Sequence, residues 1–189
     1  MRFAAVMVCV LLGVGCASSP QARFYTLEPR ASGQAPAALA GPPVSVADVE
    51  LPPTLDRRKL VYRTASAEVA IQPYERWSAP LDLMIRRTLA TNLARRLQPG
   101  AVVLPGQPEP PDGFRSIVVV VERFAPGPDG HVSLRANWYL QDLEGRLSHR
   151  QRETVRVEAG GNTGERAAAA MSDALAELAR RMADTLAGR

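Results

Sequence analysis

Few residues of this chain have the types and spacing that chemistry requires. Its two cysteines are Cys9, inside an apolar run, and Cys16, directly after the small residues 13–15. The histidines, His131 and His149, have no cysteine at metal-site spacing, so the sequence predicts no metal centre. No G-x-S-x-G elbow and no glycine-rich loop with a phosphate-binding lysine is present. The sequence therefore predicts no catalytic residue and no cofactor, and the thiol of Cys16 is its most distinctive reactive group.

Residues 1–15 have the pattern of a secretion signal. Arg2 supplies a short positive segment, residues 3–12 form an almost unbroken apolar run, and small residues follow at 13–15. The apolar run is too short to span a bilayer, which takes about 20 residues. We expect this segment to be removed, which leaves a mature chain without a transmembrane helix.

The cysteine at the end of this signal resembles a bacterial lipobox, in which the thiol is acylated before the preceding peptide bond is cut. Cys16 would then be the lipidation site and the first mature residue. Because Cys9 leaves with the signal, no disulfide is possible. Ala17 after the cysteine, in place of an aspartate, predicts sorting to the outer membrane, with the domain facing the periplasm. Ordinary secretion, with cleavage after Ala17 and no lipid, is the alternative.

Length and charge set the class of protein. The 189 residues, 46% of them hydrophobic, are enough for one domain with its own core. The formal net charge of +4 falls to +3 without Arg2, and every basic residue except Lys59 is a scattered arginine. This distribution does not favour nucleic acid as a partner. We divide the chain into a signal at 1–15, a lipidated N-terminus and tether at 16–22, and one domain at 23–189.

Two segments have the period of amphipathic helices. Over 78–97 an apolar residue recurs every fourth position, with Ser78 as the expected N-cap. From Thr163, the expected cap of the second helix, a similar stripe runs to about Leu186. Both stripes are expected to form core, although the first could instead face lipid or a partner helix. The stripes are Leu81, Ile85, Leu89, Leu93 and Leu97, and Ala167, Met171, Leu175, Leu178 and Met182.

Runs rich in β-branched residues predict strands between turns and loops. They are residues 23–27, 44–49, 59–63, 68–72, 101–104, 115–124, 132–140 and 146–158. Residues 117–121 are apolar without alternation, which is typical of a central strand covered on both faces. Turn residues at 126–130 and 144–145 join the last three strands into a meander. The order predicts an α+β fold: a two-layer α/β sandwich with an antiparallel or mixed sheet and two long helices on one face.

A stripe of arginines is the first candidate binding surface. Arg150, Arg152 and Arg156 recur at alternate positions of one strand, and Arg135 lies on a strand that we expect to be its neighbour. Such a face could bind an acidic protein surface or phospholipid headgroups. The alternatives are a solvated face, or charges that protect an exposed sheet edge from pairing.

Three further features each allow a structural and a functional interpretation. Asp56 and Arg57 lie in a charged turn and could pair within the chain or contact a partner. Trp77 precedes the first helix and could hold it to the core or anchor an interface. The glycine-rich residues 160–164 could bind an anion at the second helix or serve only as a turn and cap.

Landmarks in a fixed order cover nearly the whole predicted mature chain. They are Phe24-Tyr25-Thr26-Leu27, Arg76-Trp77-Ser78-Ala79-Pro80-Leu81, Ala136-Asn137-Trp138-Tyr139-Leu140, and residues 51–57, 61–63, 88–93, 119–124, 129–130 and 145–147. The set resembles the ABC-type transport auxiliary lipoproteins. That resemblance implies a non-enzymatic outer-membrane docking component of a phospholipid transport system, with a fold similar to the N-terminal domain of the Tol system's TolB protein.

The resemblance also implies partners. These are a mammalian-cell-entry (MCE) domain protein with its inner-membrane components, and we further expect a homo-oligomer able to cap a ring or tube. Phospholipid itself is an additional candidate ligand. Two other functions stay open: a lipoprotein that regulates peptidoglycan or envelope assembly, and a periplasmic enzyme.

Overall fold

Eight strands and two helices make up the structure, a computed structural model that describes residues 20–30, 36–66 and 68–188. In chain order they are β1 (Arg23–Tyr25), β2 (Val44–Glu50), β3 (Lys59–Arg63), β4 (Val69–Trp77), α1 (Leu81–Ala94), β5 (Val102–Val103), β6 (Arg115–Pro126), β7 (His131–Gln141), β8 (Leu147–Glu158) and α2 (Gly164–Leu186). The predicted signal at 1–15 and Cys16 lie outside the described residues.

A five-stranded mixed sheet in the order β5-β2-β6-β7-β8 forms one layer. Strand β2 runs parallel to β5 and β6, whereas β6, β7 and β8 form the predicted antiparallel meander. The apolar run of β6 lies centrally between β2 and β7, but it is not covered on both faces as predicted, because Val120 is half-buried and Glu122 exposed on the face away from α2. The α+β prediction, with a mixed sheet and two helices, is confirmed.

Strand β7 shows how the sheet divides its two faces. Its alternate residues turn towards the core, and their side chains are at most 1% exposed: Val132, Leu134, Ala136, Trp138 and Leu140. The intervening positions carry polar or amphipathic side chains that are half-buried or exposed, because no helix covers them. Helix α1 packs on β2 and β5, and α2 packs on β6, β7 and β8.

The leucine stripe of α1 forms core. Leu81, Ile85, Leu89 and Leu93 are at most 3% exposed, and burying each such side chain contributes roughly 1.5–3 kcal/mol before entropy is counted. The apolar stripe of α2 is buried to the same degree. Neither stripe is therefore available to lipid or to a partner helix.

The two helix starts differ. Thr163 caps α2 as predicted, and its hydroxyl oxygen accepts a hydrogen bond from the backbone N–H of Arg166 at 3.3 Å. The prediction that Ser78 caps α1 is wrong, because Pro80 takes the cap position and makes no side-chain cap bond. The Ser78 N–H instead donates to the carbonyl of Tyr25 at 2.8 Å, which holds Ser78 in extended chain before the helix begins.

A second sheet, in the order β1-β4-β3, contains the remaining strands. Strand β4 extends to Trp77, five residues beyond the strand predicted over 68–72. Because Lys59 pairs with Arg76 and Val61 with Ile71, residues 72–75 bulge opposite Leu60. Pro73 lies in this bulge, where its missing N–H breaks no regular ladder.

Residues 26–30 run as a strap across both helices. The hydroxyl of Thr88 on α1 donates to the carbonyl of Leu27 at 3.3 Å, and the N–H of Glu28 donates to the hydroxyl of Ser172 on α2 at 3.1 Å. The N–H of Arg30 donates to the side-chain carbonyl of Asn92 at 2.9 Å. Through these bonds, three polar helix residues that are buried in the core, Thr88, Asn92 and Ser172, each have a hydrogen-bond partner.

The ring of Tyr25 packs against the first residue of α2. A Cβ added at Gly164 would lie 2.6 Å from two ring carbons of Tyr25, much closer than atoms in contact can approach. Glycine is needed here because of this close approach, which connects β1 to the last helix.

We predict that Gly164→Ala destabilises the fold by about 1–3 kcal/mol, the usual effect of overpacking. In a Tyr25→Ala background the same change should be neutral or stabilising, because alanine is the better helix former by about 1 kcal/mol. Denaturant unfolding of the four proteins of this cycle measures the difference. A stabilising Gly164→Ala in the wild-type background would contradict the packing described here.

Charged side chains connect α2 to β8. Glu177 accepts from Arg180 at 2.7 Å and from Arg181 at 2.8 Å, and Arg181 also donates to Glu153 of β8 at 2.9 Å. The hydrogen bond from Arg180, supported by that from Arg181, lowers the pKa of Glu177 from 4.5 to about 2.

This pKa shift predicts a specific loss of stability in acid. A carboxyl with a depressed pKa in the folded state stabilises the fold above its unfolded pKa, and this contribution disappears as the pH falls through the folded value. The difference in unfolding free energy between wild type and Glu177→Gln should therefore be largest above pH 4.5 and shrink towards about pH 2. Glu109→Gln, in an exposed loop, is the control. A difference that does not vary with pH would refute the assignment.

Candidate functional site

The predicted arginine stripe lies on the uncovered face of the five-stranded sheet. Arg135 of β7 pairs in register with Thr154 of β8, and Arg152 and Arg156 flank Thr154 at alternate positions. All three arginines are exposed. Arg150 follows His149, a residue with φ of 50° at the irregularity where the β7–β8 register shifts.

Glu122 of β6 lies beside two of these arginines. One of its carboxylate oxygens is 3.2 Å from Nη2 of Arg152, and the other is 4.0 Å from Nε of Arg135. Asn137 completes the cluster, because its amide donates to Glu122 at 2.7 Å and its carbonyl accepts from Arg152 at 3.2 Å. The single carboxylate of Glu122 thus offsets part of the positive charge of Arg135 and Arg152 within the sheet.

Arg156 is paired in a similar way at the β6–β7 turn. Its Nη2 donates to a carboxylate oxygen of Asp129 at 2.8 Å. The backbone N–H of His131 also donates to that carboxyl, which, with the charge of Arg156, lowers the pKa of Asp129. His131 is therefore part of the turn. Arg150, in contrast, enters none of the ion pairs between described residues.

The charged turn after β2 is exposed. The carbonyl of Pro52 accepts from the N–H groups of Leu55 and Asp56 at 2.8 and 3.2 Å, and Arg57 donates to the carbonyl of Pro53 at 3.2 Å. Within the described part of the chain, no ion pair includes Asp56. The internal pair considered for Asp56 is not formed there, and both side chains remain accessible to a partner.

Trp77 lies in the core and is 1% exposed. Its backbone N–H donates to the backbone carbonyl of Arg58 at 2.7 Å, which connects the end of β4 to the charged turn. The side chain therefore holds the entry to α1 and is not available to an interface.

The glycine-rich loop before α2 acts as a turn and a cap. The guanidinium of Arg166 donates to the carbonyl of Gly160, and Thr163 caps the helix. Across residues 20–30, 36–66 and 68–188, no group of three or more His, Cys, Asp or Glu side chains is arranged to hold a metal ion. In the same ranges, neither helix combines the length and apolarity needed to cross a bilayer.

Two shallow grooves flank the strap. One, of about 300 Å³, lies against α1 and is lined by Leu83, Met84 and Thr88 among others. The other, of about 310 Å³, lies against α2 and includes Phe24 and Ser172. Their walls are mixed polar and apolar, and the groove against α2 also includes Glu28, Arg30 and Glu165.

Sequence reasoning located the arginines but missed their acidic partners. Glu122 belongs to the landmark run 119–124, and Asp129 lies in the predicted turn at 126–130. The alternation within each strand indicates a face, whereas only the register between strands shows which carboxylate meets which arginine.

We predict a weak but specific coupling between Glu122 and Arg152. In a double-mutant cycle of Glu122→Gln and Arg152→Gln, the interaction free energy should be about 0.2–1 kcal/mol, as for other exposed pairs. The matched cycle with Arg150→Gln should give a value near zero. Equal couplings for Arg150 and Arg152 would contradict the pairing.

The comparisons with known proteins agree with this fold. The family model for the ABC-type transport auxiliary lipoprotein component matches residues 25–183. Proteins called intermembrane transport lipoprotein PqiC, from Escherichia coli K12 and from Shigella flexneri, are each 31% identical over 137 residues, covering 71% of this chain and 72% of the relative.

Two solved structures are similar in fold. A protein described as uncharacterized has a TM-score of 0.71 at 22% identity, covering 88% of this chain and 99% of its own. A Xanthomonas campestris protein has a TM-score of 0.74 at 17% identity, covering 88% and 97%. The likeness to the N-terminal domain of TolB stays a prediction. On the strength of the family match and the curated relatives, this chain belongs to the ABC-type transport auxiliary lipoprotein component family.

Proposed function

We propose that this chain is an outer-membrane lipoprotein that serves as a docking subunit of an intermembrane phospholipid transport system. The observation that carries the proposal is the family match over residues 25–183, together with relatives called intermembrane transport lipoprotein. The lipobox-like sequence at Cys16 supports an acyl anchor, since lipid chains attach a protein to a membrane without a spanning helix. Ala17 supports the outer membrane, with the domain in the periplasm.

The proposed role is binding, not catalysis. The family is described as a transport auxiliary component. The two histidines, which are the side chains best suited to acid–base chemistry, have structural positions here: His131 lies in the turn with Asp129, and His149 occupies the β8 irregularity. The surfaces accessible to partners are the Asp56–Arg57 turn, Arg150 and the end of the β7–β8 hairpin, where Leu143 and Leu147 are each 53% exposed.

The proposed partners are an MCE-domain protein and its inner-membrane components, with the chain acting as a homo-oligomer that caps a ring or tube. Strand β8 supports assembly, because it is 12 residues long and lies at the edge of its sheet, and such edges offer hydrogen-bonding groups to another chain. The exposed leucines at its start extend this edge with apolar surface.

In-cell crosslinking followed by purification tests the proposal, with wild type and Cys16→Ala compared at equal expression. Wild type should incorporate labelled palmitate and recover an MCE-domain protein as an oligomer. Cys16→Ala should lose the label and recover much less partner, because it is no longer held at the same membrane.

Two results would contradict the proposal. Equal palmitate incorporation in both proteins would show that Cys16 is not the lipidation site. A monomeric wild type that recovers no MCE-domain protein would refute the docking function, and recovery of cell-wall synthases in its place would favour a role in envelope assembly.

A further inference from the structure

The first strand lies close in sequence to the proposed acyl anchor. Arg23, at the start of β1, is the seventh residue after Cys16. An extended chain spans at most about 3.6 Å per residue, so Arg23 lies within about 25 Å of the lipid-bearing residue. The end of the three-stranded sheet that receives this chain is therefore held near the bilayer.

Exposed aromatic side chains lie at that end of the sheet. Phe24 is 60% exposed and Tyr74 is 47% exposed. Phe24 pairs in register with Arg76, two residues beyond Tyr74 on β4. Residues 20–23 and residues 72–75 line an open groove of about 570 Å³. Tyrosine is enriched where membranes meet water, because its ring is apolar and its hydroxyl is polar.

Cations surround these aromatic residues. Arg76 pairs with Phe24 on one side and with Lys59 on the other, so the three residues form a row across β1, β4 and β3. Adjacent strands are about 4.8 Å apart, which makes this row about 10 Å long. Arg23, Lys59 and Arg76 are all exposed. Two more arginines, Arg57 and Arg58, directly precede Lys59.

The acidic residues nearby do not cancel this charge. Glu75 is half-buried and accepts a hydrogen bond from the hydroxyl of Tyr62 at 3.2 Å, and Asp56 lies in the turn before Arg57. Because Arg23 pairs in register with Glu75 on the opposite face of β1 from Phe24, four cations remain near the aromatic residues, Arg57, Arg58, Lys59 and Arg76, against the one carboxylate of Asp56. The arginines of the five-stranded sheet differ, because Glu122 and Asp129 pair with three of them.

We infer that Phe24, Tyr74, Lys59 and Arg76 form a membrane-contact patch that rests on the phospholipid surface beside the acyl anchor. The aromatic rings lie at headgroup level, and the cations contact phosphate groups of anionic phospholipids. The inference rests on the proposed anchoring at Cys16 and adds a fixed orientation to it. An acyl anchor alone leaves the domain free to rotate, whereas a second contact turns one chosen end towards the membrane.

A fluorophore attached to the patch tests this contact in the lipidated mature protein. Acylation blocks Cys16, so a maleimide dye that senses its environment should label only an introduced cysteine. Tyr74→Cys places the dye in the patch, and Glu109→Cys places it in an exposed loop away from the patch. In vesicles of phosphatidylethanolamine and phosphatidylglycerol, the dye at 74 should emit at shorter wavelength and be quenched several-fold more strongly by brominated phospholipid than the dye at 109.

The outcomes separate the inference from the proposed anchoring. If protein without an introduced cysteine reacts with the dye, or does not sediment with vesicles, the anchor at Cys16 fails and the inference fails with it. If the protein is anchored but the dyes at 74 and 109 are equally exposed to water, the membrane-contact patch is refuted and the lipoprotein assignment stands. A patch that becomes protected only when an MCE-domain protein is added would show a protein contact in its place, and would equally overturn the inference.

Charge removal gives a second, independent readout. With the dye at position 74, the pair Lys59→Gln and Arg76→Gln should reduce docking on anionic vesicles by about fivefold per cation, and should have little effect on phosphatidylcholine alone. The control pair, Arg135→Gln and Arg152→Gln, removes equal charge from the cluster at Glu122 and should change the signal little. Equal losses from both pairs would show an effect of net charge and would refute a specific patch. Circular dichroism of each variant checks that the fold is kept.

Discussion

The two helices cover only one face of the five-stranded sheet, and most other features of this structure follow from that constraint. Both helices need an apolar surface, which β2 and β5 provide for α1 and β6, β7 and β8 provide for α2. The other face must then satisfy its charges without a second helical layer. It does so in part through pairs that cross the strands, such as Glu122 with Arg152, so the four arginines of the stripe meet two carboxylates, Glu122 and Asp129, among the described residues.

The three-stranded sheet and the strap of residues 26–30 connect the N-terminal segment to the rest of the domain. Strand β1 is only three residues long and pairs with a single strand, which would hold it weakly. Contacts outside its sheet stabilise it, because Tyr25 packs on Gly164 and residues 26–30 bond to both helices. The chain leading from the proposed anchor is thus continuous with contacts to the main core, and a membrane contact there would orient the whole domain.

Much of the fold could be predicted from periodicity, and the missing parts share one cause. The helices, the central strand β6 and the meander follow from local patterns of apolar residues. The division into two sheets, the extension of β4 past Pro73 and the loss of the Ser78 cap all depend on partners distant in sequence, such as the carbonyl of Tyr25. The same holds for the candidate surfaces, because the row of Phe24, Arg76 and Lys59 exists only once three separate strands pair.

Strand β2 pairs in parallel with strands that follow it in the chain, and this limits when its pairings can form. Both of its neighbours, β5 and β6, come later in the chain, and the ring of Tyr25 and the N–H of Glu28 contact α2, the last element. Parallel and long-range pairings are slow to form, because the intervening chain must first be ordered. In kinetic terms, the N-terminal segment is synthesised first, whereas its contacts with α2 can form only once the last element of the chain has been made.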